Sequence, residues 1–441
     1  MSQAVKKIWL GLFPAALMVL GGCGKESPTA LGGSLVKGNV RTYQVTLNAA
    51  DFLVTDTTFD NFEPPGGVPF VLVANQFEGT FTAHTLLKYR LPTQFTYTDT
   101  TDNSFTDTLP QFTGGTVVLY VDTTANRPPA GTGLSLYRLT EPFDTGSVSW
   151  TTRIDTGSVN EPWTQPGGTT GALIDTTSLA ADIDSITFHV DSATAVMMAD
   201  TATPFPGMLV ETAQGARVRF LSGKFMVDAR PTAKPDTIIA LGTSQEAKFI
   251  YNIMPPAPGD SLLRVGGIPG WRTIFRFRPL EDAQLNLGAD CGLASCVRPM
   301  KDLLINYAAL ELTPHYAGGF RPEAPFLVDV LAVLESPGVP LVRSPLSQSP
   351  GGVTGGTGVT LATDPFTAAP QDTGAVEVPI TLYLRTLASS STAAADRHTA
   401  LAVAPINPSS AFGYGEFMSV NTADAPKLRL IVSVINPGSF Q

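Results

Sequence analysis

The residues able to do chemistry are few and scattered. Four histidines, His84, His189, His315 and His398, show no i, i+4 pairing and no HExxH spacing, so a zinc hydrolase is not indicated. A Gly-x-Ser-x-Gly nucleophile elbow does not occur, and no local signature marks a Ser/His/Asp triad. The glycine-rich run at 351–358 has no following lysine and opens no helix, which a phosphate cradle needs, so it reads as a loop or linker. Carboxylates are many, but none pair legibly. Asp182 and Asp184, or Asp51, Asp56 and Asp60, could supply oxygens to a structural calcium, which takes about six to eight such ligands. The competing reading is that each Asp marks a turn by bonding to nearby backbone. No other cofactor is indicated.

Aromatic residues offer the clearest binding candidates. Trp163 sits between Pro162 and Pro166, in a loop expected to hold the indole near solvent, where a sugar ring can stack on it. Trp271 follows the Gly- and Pro-rich 266–270 and is read the same way. Trp150 lies in an apparent strand and is expected in the core. Core packing is the competing reading for all three, because aromatic side chains bury large areas. Cys291 and Cys296, in a small-residue loop, are expected to form a disulfide in an oxidising compartment. So short a loop gives local stiffening rather than global stability. A metal site would need further ligands, and the spacing does not fit a CxxC redox pair.

These residues must be positioned by sheets. The 441 residues include 41 Gly and 36 Pro, the two poorest helix formers, which argues against a helical bundle. Charged residues are 15% and hydrophobic residues 43%, which excludes a disordered chain. A net charge of −10 disfavours nucleic acid, which needs a basic face. Short β-branched and aromatic runs recur at 40–47, 116–121, 134–139, 185–190, 217–221, 271–277, 303–312, 326–334, 376–384 and 428–434. In Arg217-Val218-Arg219-Phe220 basic and apolar residues alternate, the pattern of a half-buried strand in an antiparallel sheet. Short helical turns are expected near 193–199 and 244–253.

The N-terminus has its own logic. Lys6 and Lys7 precede an apolar run at 8–20, too short to span a bilayer but suited to a signal peptide. It ends in Leu20-Gly21-Gly22-Cys23, which resembles the lipobox of bacterial lipoproteins. That resemblance implies cleavage before Cys23 and acylation of its thiol and new amine. The membrane, reached through acyl chains on Cys23, is then the expected partner, and several chains anchor far more firmly than one. Gly24 stands where Asp would retain an enteric lipoprotein in the inner membrane, so the expected location is the outer membrane, periplasmic or surface-exposed. Cleavage at residue 22 leaves 26 basic against 38 acidic residues, a charge of −12. Residues 23–37 are small and polar and read as a flexible tether.

The chain also repeats itself. Segment 85–92 resembles 272–279, and Tyr120 matches Tyr307, both at an offset of 187. Asp56–Phe59 and 236–239 are matched as first strands at an offset of 180. The stretch 230–235, with two prolines, is the natural boundary. The expected fold is all-β: two antiparallel jelly-roll-like β-sandwich domains at 38–230 and 231–441, after a signal peptide at 1–22 and a tether at 23–37.

Segments 86–92, 119–120, 136–144 and 147–151 together resemble the DNRLRE-type domain, a jelly-roll-like module of bacterial and archaeal surface proteins. Phe143 stands where that family usually has Trp. The resemblance covers about 59–221 and is weaker over 236–434. It implies an extracellular scaffold or adhesive module rather than an enzyme. The leading expectation is therefore a lipid-anchored cell-envelope protein with a structural or adhesive role and no catalysis, contacting glycans or envelope proteins. The alternatives are a carbohydrate-binding lipoprotein using Trp163 and Trp271, and a glycan-degrading enzyme carrying two carboxylates in one groove.

Overall fold

The computed structural model of the chain describes residues 40–60, 69–98, 102–125, 127–252, 258–268, 270–289, 291, 293, 295–335, 338–347, 359–366, 374–388, 399–406 and 411–435. The signal peptide, Cys23, the tether, the glycine-rich run at 351–358 and His398 lie outside the described residues. Among the described residues, no helix is long and apolar enough to cross a membrane.

The chain opens with β1 (Val40–Asn48), one helical turn α1 (Ala49–Phe52) and β2 (Leu53–Phe59). Next come β3 (Val71–Phe77), β4 (Phe81–Arg90), the hairpin β5 (Phe95–Thr98) and β6 (Ser104–Asp107), then β7 (Gln111–Val121) and β8 (Gly133–Leu139). A second hairpin, β9 (Thr152–Asp155) and β10 (Asn160–Pro162), precedes β11 (Thr170–Ser178) and β12 (Ser185–Val190). Helix α2 (Ser192–Ala199) leads to β13 (Met208–Thr212), β14 (Arg217–Arg230), β15 (Ile239–Gly242) and β16 (Ser244–Tyr251). The remainder begins with β17 (Leu262–Val265), β18 (Arg272–Phe277), β19 (Gln284–Asn286), β20 (Val297–Pro299), β21 (Leu304–Leu312) and β22 (Pro314–His315). It closes with β23 (Phe326–Ala332), β24 (Val359–Leu361), β25 (Val376–Pro379), α3 (Thr381–Ala388), β26 (Ala400–Pro405), β27 (Gly415–Met418) and β28 (Lys427–Ile435).

The pairing resolves this list into two jelly rolls of identical strand order. In the first body, eight strands taken in chain order (β3, β4, β7, β8, β11, β12, β13, β14) form the rows β3-β14-β7-β12 and β4-β13-β8-β11. In the second, β1, β18, β21, β23, β24, β25, β26 and β28 form β1-β28-β21-β25 and β18-β26-β23-β24. Both follow the rank pattern 1-8-3-6 facing 2-7-4-5, the interleaving of an eight-stranded jelly roll. Each has one further strand on the outer edge of its second-ranked strand, β16 on β4 and β2 on β18. In the first body β3 and β4 also pair, which joins its two rows. The offset of 187 therefore aligns strands of equal rank: β4 with β18, and β7 with β21.

The all-β, sandwich-like expectation holds, but the division at 230/231 does not follow the sheets. β1 pairs along its whole length with β28, from Val40↔Ile435 to Asn48↔Lys427, so residues 40–59 belong to the second body. β15 and β16 pair with β14 and β4, so residues 239–251 belong to the first. The first jelly roll is thus inserted between the opening strands of the second and the rest of it. The matched first strands are corrected for the same reason: Asp56 lies in β2, an added edge strand, and Ile239 in β15. The true first-ranked strands are β3 and β1.

Two local expectations also change. Residues 244–251 form an edge strand rather than a helical turn, because all eight find partners on β4. The expected strand at 376–384 stops at Pro379 and turns into α3, whose buried Tyr383, Leu384, Leu387 and Ala388 recur at helical spacing. Thr381 anchors that helix, its hydroxyl bonding both the amide and the carbonyl of Ala308. The expected turn at 193–199 is α2, where Asp191 accepts from the Thr194 amide.

The bodies are fused by a buried seam. Phe81 and Tyr251 from the first pack on Phe412 from the second, with ring centroids 4.9 and 5.0 Å apart, and Phe320 and Tyr414 extend the cluster. Arg217 and Arg219 point into this seam and not into water, since the face they occupy is covered by the second body. Arg219 pairs with Asp122 and Glu323, each at 2.9 Å, and lies 3.8 Å over the Phe70 ring. Glu323 also accepts from the Phe412 and Gly413 amides at 2.5 and 2.9 Å. Arg217 donates to the Gly319 and Arg321 carbonyls, and burial lowers its pKa to about 10. At the β3–β4 turn, Glu78 pairs with Arg321 at 3.0 Å.

Candidate functional site: a groove beneath a polar lid

Between β8 and β11 the chain leaves the sheet and folds back over its outer face as a lid, residues 140–169. The sheet supplies Leu86, Leu139, Leu209 and Ile250, and the lid lays Phe143, Val148 and Trp163 upon them. Polar groups fasten it. Glu141 accepts from the Thr164 amide at 3.1 Å and hydroxyl at 3.0 Å, and from the Thr169 hydroxyl. Burial raises the Glu141 pKa, but the bonds from Thr169 and Thr164 and the Arg153 charge outweigh it and hold the carboxyl below its ordinary value. Arg153 also pairs with Glu161. Asp144 accepts from the Ser147 hydroxyl at 2.6 Å, which lowers its pKa.

Trp163 is therefore buried, at 4% exposure, with its indole N–H donating to the Ser149 carbonyl at 3.1 Å. The prolines do mark a loop, but the loop lies on a hydrophobic floor and carries the indole inward. Trp271, at 2% exposure, is likewise no surface platform: it packs between Arg264, 5.0 Å from its ring, and Tyr414. Arg264 in turn pairs with Glu416 at 2.8 Å, and Glu416 with His315 at 2.8 Å.

Trp150 reverses its expected place as well. It lies in a bend rather than a strand and is half-buried. Gly167, at φ +91°, lies against its ring, and a Cβ there would stand 2.7 Å from the indole Cη2. His84 packs on the same indole at 5.0 Å, with Nδ1 2.6 Å from the Gly167 carbonyl oxygen. A carbonyl only accepts, so Nδ1 carries the proton. The remaining surface of Trp150 lines a groove of about 430 Å3, walled by 146–151 of the lid and 248–252 of β16 and its exit. That volume is within the range of small-molecule sites. Nothing at the level of single residues announced this site, although Ser147, Ser149 and Thr151 around Trp150 are poor company for a core indole.

Lys248 faces the same groove. On β16 its neighbours two residues away, Glu246 and Ile250, both meet the lid, Glu246 through the Thr145 hydroxyl and Ile250 through the apolar floor, so Lys248 lies on that face too. Its ammonium forms no hydrogen bond or ion pair with a described residue, and burial lowers its pKa. Two other grooves are lined by described residues, one beside α2 and one beside β16. Among the residues lining these three grooves there is one carboxylate, Asp200.

The calcium candidates are not gathered into a site. No group of three or more His, Cys, Asp or Glu residues is placed to hold a metal among the described residues. Asp56 accepts from the Val420 amide at 2.8 Å, and Asp51 from the Asn48 amide at 3.2 Å. Cys291 and Cys296 form the expected disulfide, and the Cys291 carbonyl accepts from the Tyr43 hydroxyl at 2.6 Å and from Arg41 at 2.9 Å, tying the loop to β1.

No family model matches the chain, and no curated protein does. Among solved structures, the chain shows a faint likeness to one described as "Life in the extremes: atomic structure of Sulfolobus Turreted Icosahedral Virus". Identity is 9% over 90% of this chain and 91% of that one, with a TM-score of 0.12. A second, "Crystal Structure of the STIV MCP", is 8% identical over 90% and 97%, with a TM-score of 0.10. Superpositions so loose carry no argument about function.

Proposed function

We propose that the chain is a lipid-anchored cell-envelope protein whose fused jelly rolls make structural or adhesive contacts, without catalysis. The buried Arg219–Asp122–Glu323 seam carries this reading, because it makes one stiff body of two sandwiches and spends its charges on holding shape. The signal-like leader and Leu20-Gly21-Gly22-Cys23 support the anchor and an outer-membrane location. Palmitate labelling of the wild type, blocked by globomycin and absent in Cys23→Ala, is the expected result. Labelling that persists in Cys23→Ala would remove the anchor from the reading.

A second reading, glycan binding, is favoured by the groove, with Trp150 in the role first expected of Trp163 and Trp271. Its indole N–H has no partner among the described residues, so it offers both a ring and a donor to a sugar. Binding on a glycan array that Trp150→Ala abolishes is expected. Binding untouched by that substitution would place the sugar elsewhere.

A further inference from the structure

The groove's donors differ from what a neutral sugar requires. Trp150 contributes an indole N–H, Thr151 an exposed hydroxyl, and Lys248 an ammonium, none of them engaged by another described residue. A half-buried lysine without a counter-charge is an unfavourable arrangement that an anionic ligand relieves. The nearest carboxylate on its own strand face, Glu246, is already committed to Arg90 at 3.1 Å and to Thr145. Glu211, across the Trp150 side, stands 3.7 Å from His84.

We propose that this groove binds a carboxylate-bearing sugar, a uronic acid residue of an acidic glycan. The pyranose ring lies against Trp150, and its carboxylate meets Lys248. The assignment rests on the glycan-binding reading and adds to it the charge of the ligand. The chain's net negative charge opposes such a ligand at long range, but that field is screened beyond about 8 Å at physiological salt, so contacts within the groove decide.

The test uses the full chain in detergent and three uronate tetrasaccharides, built on galacturonate, mannuronate and glucuronate, each beside its methyl ester. The ester keeps the ring and linkage and removes the charge. At least one acid should bind about tenfold more tightly than its ester, the order carried by a hydrogen bond to a charged group. Lys248→Met should erase that difference by lowering acid affinity to about that of the ester, with an unfolding temperature no lower than that of the wild type. Trp150→Phe, which retains a ring without the N–H, should weaken acid and ester alike. Equal binding of acid and ester, or a preference surviving in Lys248→Met, overturns the acidic assignment and leaves the glycan reading standing. Phosphorylated sugars binding as tightly as uronates overturn the choice of carboxylate. No binding by any of the six overturns the acidic assignment, and the glycan reading falls with it if the array also shows no binding that Trp150→Ala abolishes.

Discussion

Glu323→Ala removes a carboxylate that is 1% exposed and serves three donors at once: Arg219, and the amides of Phe412 and Gly413. Arg219 is not orphaned, because Asp122 remains 2.9 Å away. The cost therefore falls mainly on two backbone N–H groups left without partners inside the seam, at about 1–3 kcal/mol each. Their sum, near 4 kcal/mol, agrees with the ~3–5 kcal/mol found when one partner of a buried pair is removed. For bodies of this size that is a fall of roughly 10 °C in melting temperature. Calorimetry is the appropriate assay, because the seam predicts one joint transition in the wild type and two separated ones in Glu323→Ala. The pair Arg219→Met and Glu323→Ala, taken singly and together, should show a coupling above about 0.5 kcal/mol. A loss within about 0.5 kcal/mol, the range of ordinary surface substitutions, would show that water reaches the seam and refute the reasoning.

Three other outcomes follow from the lid and the loops. Trp163→Ala should cost the lid about 3–5 kcal/mol, as for other buried aromatic truncations, and raise hydrogen exchange across 140–169 while β4 stays protected; uniform exchange over both would show that the lid is not a separate layer. Glu141 and Asp144 are held below their ordinary values of 4.5 and 3.8, so their stabilisation is complete above those values and lost as pH falls through the lowered ones. Exchange in the lid should therefore accelerate below about pH 4, after correction for intrinsic rates, and a lid indifferent to acid would contradict this. Replacing Cys291 and Cys296 by alanine should cost no more than about 2 kcal/mol, because the closed loop is so short. Separated chemical-denaturation midpoints would detect a larger loss, which would mean that the Cys291 carbonyl's bonds to Tyr43 and Arg41 fail with it.

Strand identity was legible because period and composition are local. Arg217-Val218-Arg219-Phe220 is a strand, as its alternation says, but alternation reports a period and not what covers each face. Here the cover is the second body, whose Glu323 lies more than a hundred residues away in sequence. The 187-residue offset found equal-ranked strands because β4 and β18, and β7 and β21, face like neighbours in their sheets. The first strands were missed because β1 closes on β28, at the far end of the chain, and no local pattern encodes that pairing. Pro162 and Pro166 signalled a loop correctly, yet whether a loop stands out or folds back depends on the floor beneath it. Leu86, Leu209 and Ile250, from three separate strands, make that floor apolar. The Trp150 groove was hidden for the same reason, since its walls come from segments about a hundred residues apart.

The insertion itself has a mechanical consequence. Because β1 and β2 open the second body and β3 begins the first, any force applied at the N-terminus enters through the second jelly roll. The sixteen residues from 24 to 39 can span at most about 55 Å, so a lipid on Cys23 would hold the second body near the bilayer. The groove belongs to the other body, joined to the second through the chain crossings and the buried seam that contains Arg219 and Glu323. A load borne by a ligand in that groove would then pass across the seam before it reached the anchor. This is why the seam, and not the groove, should limit the strength of an adhesive contact: in Glu323→Ala, single-molecule pulling between a ligand held near Trp150 and the N-terminus should separate the bodies at lower force, with binding itself unchanged. Equal rupture forces in the two proteins would mean that the load bypasses the seam.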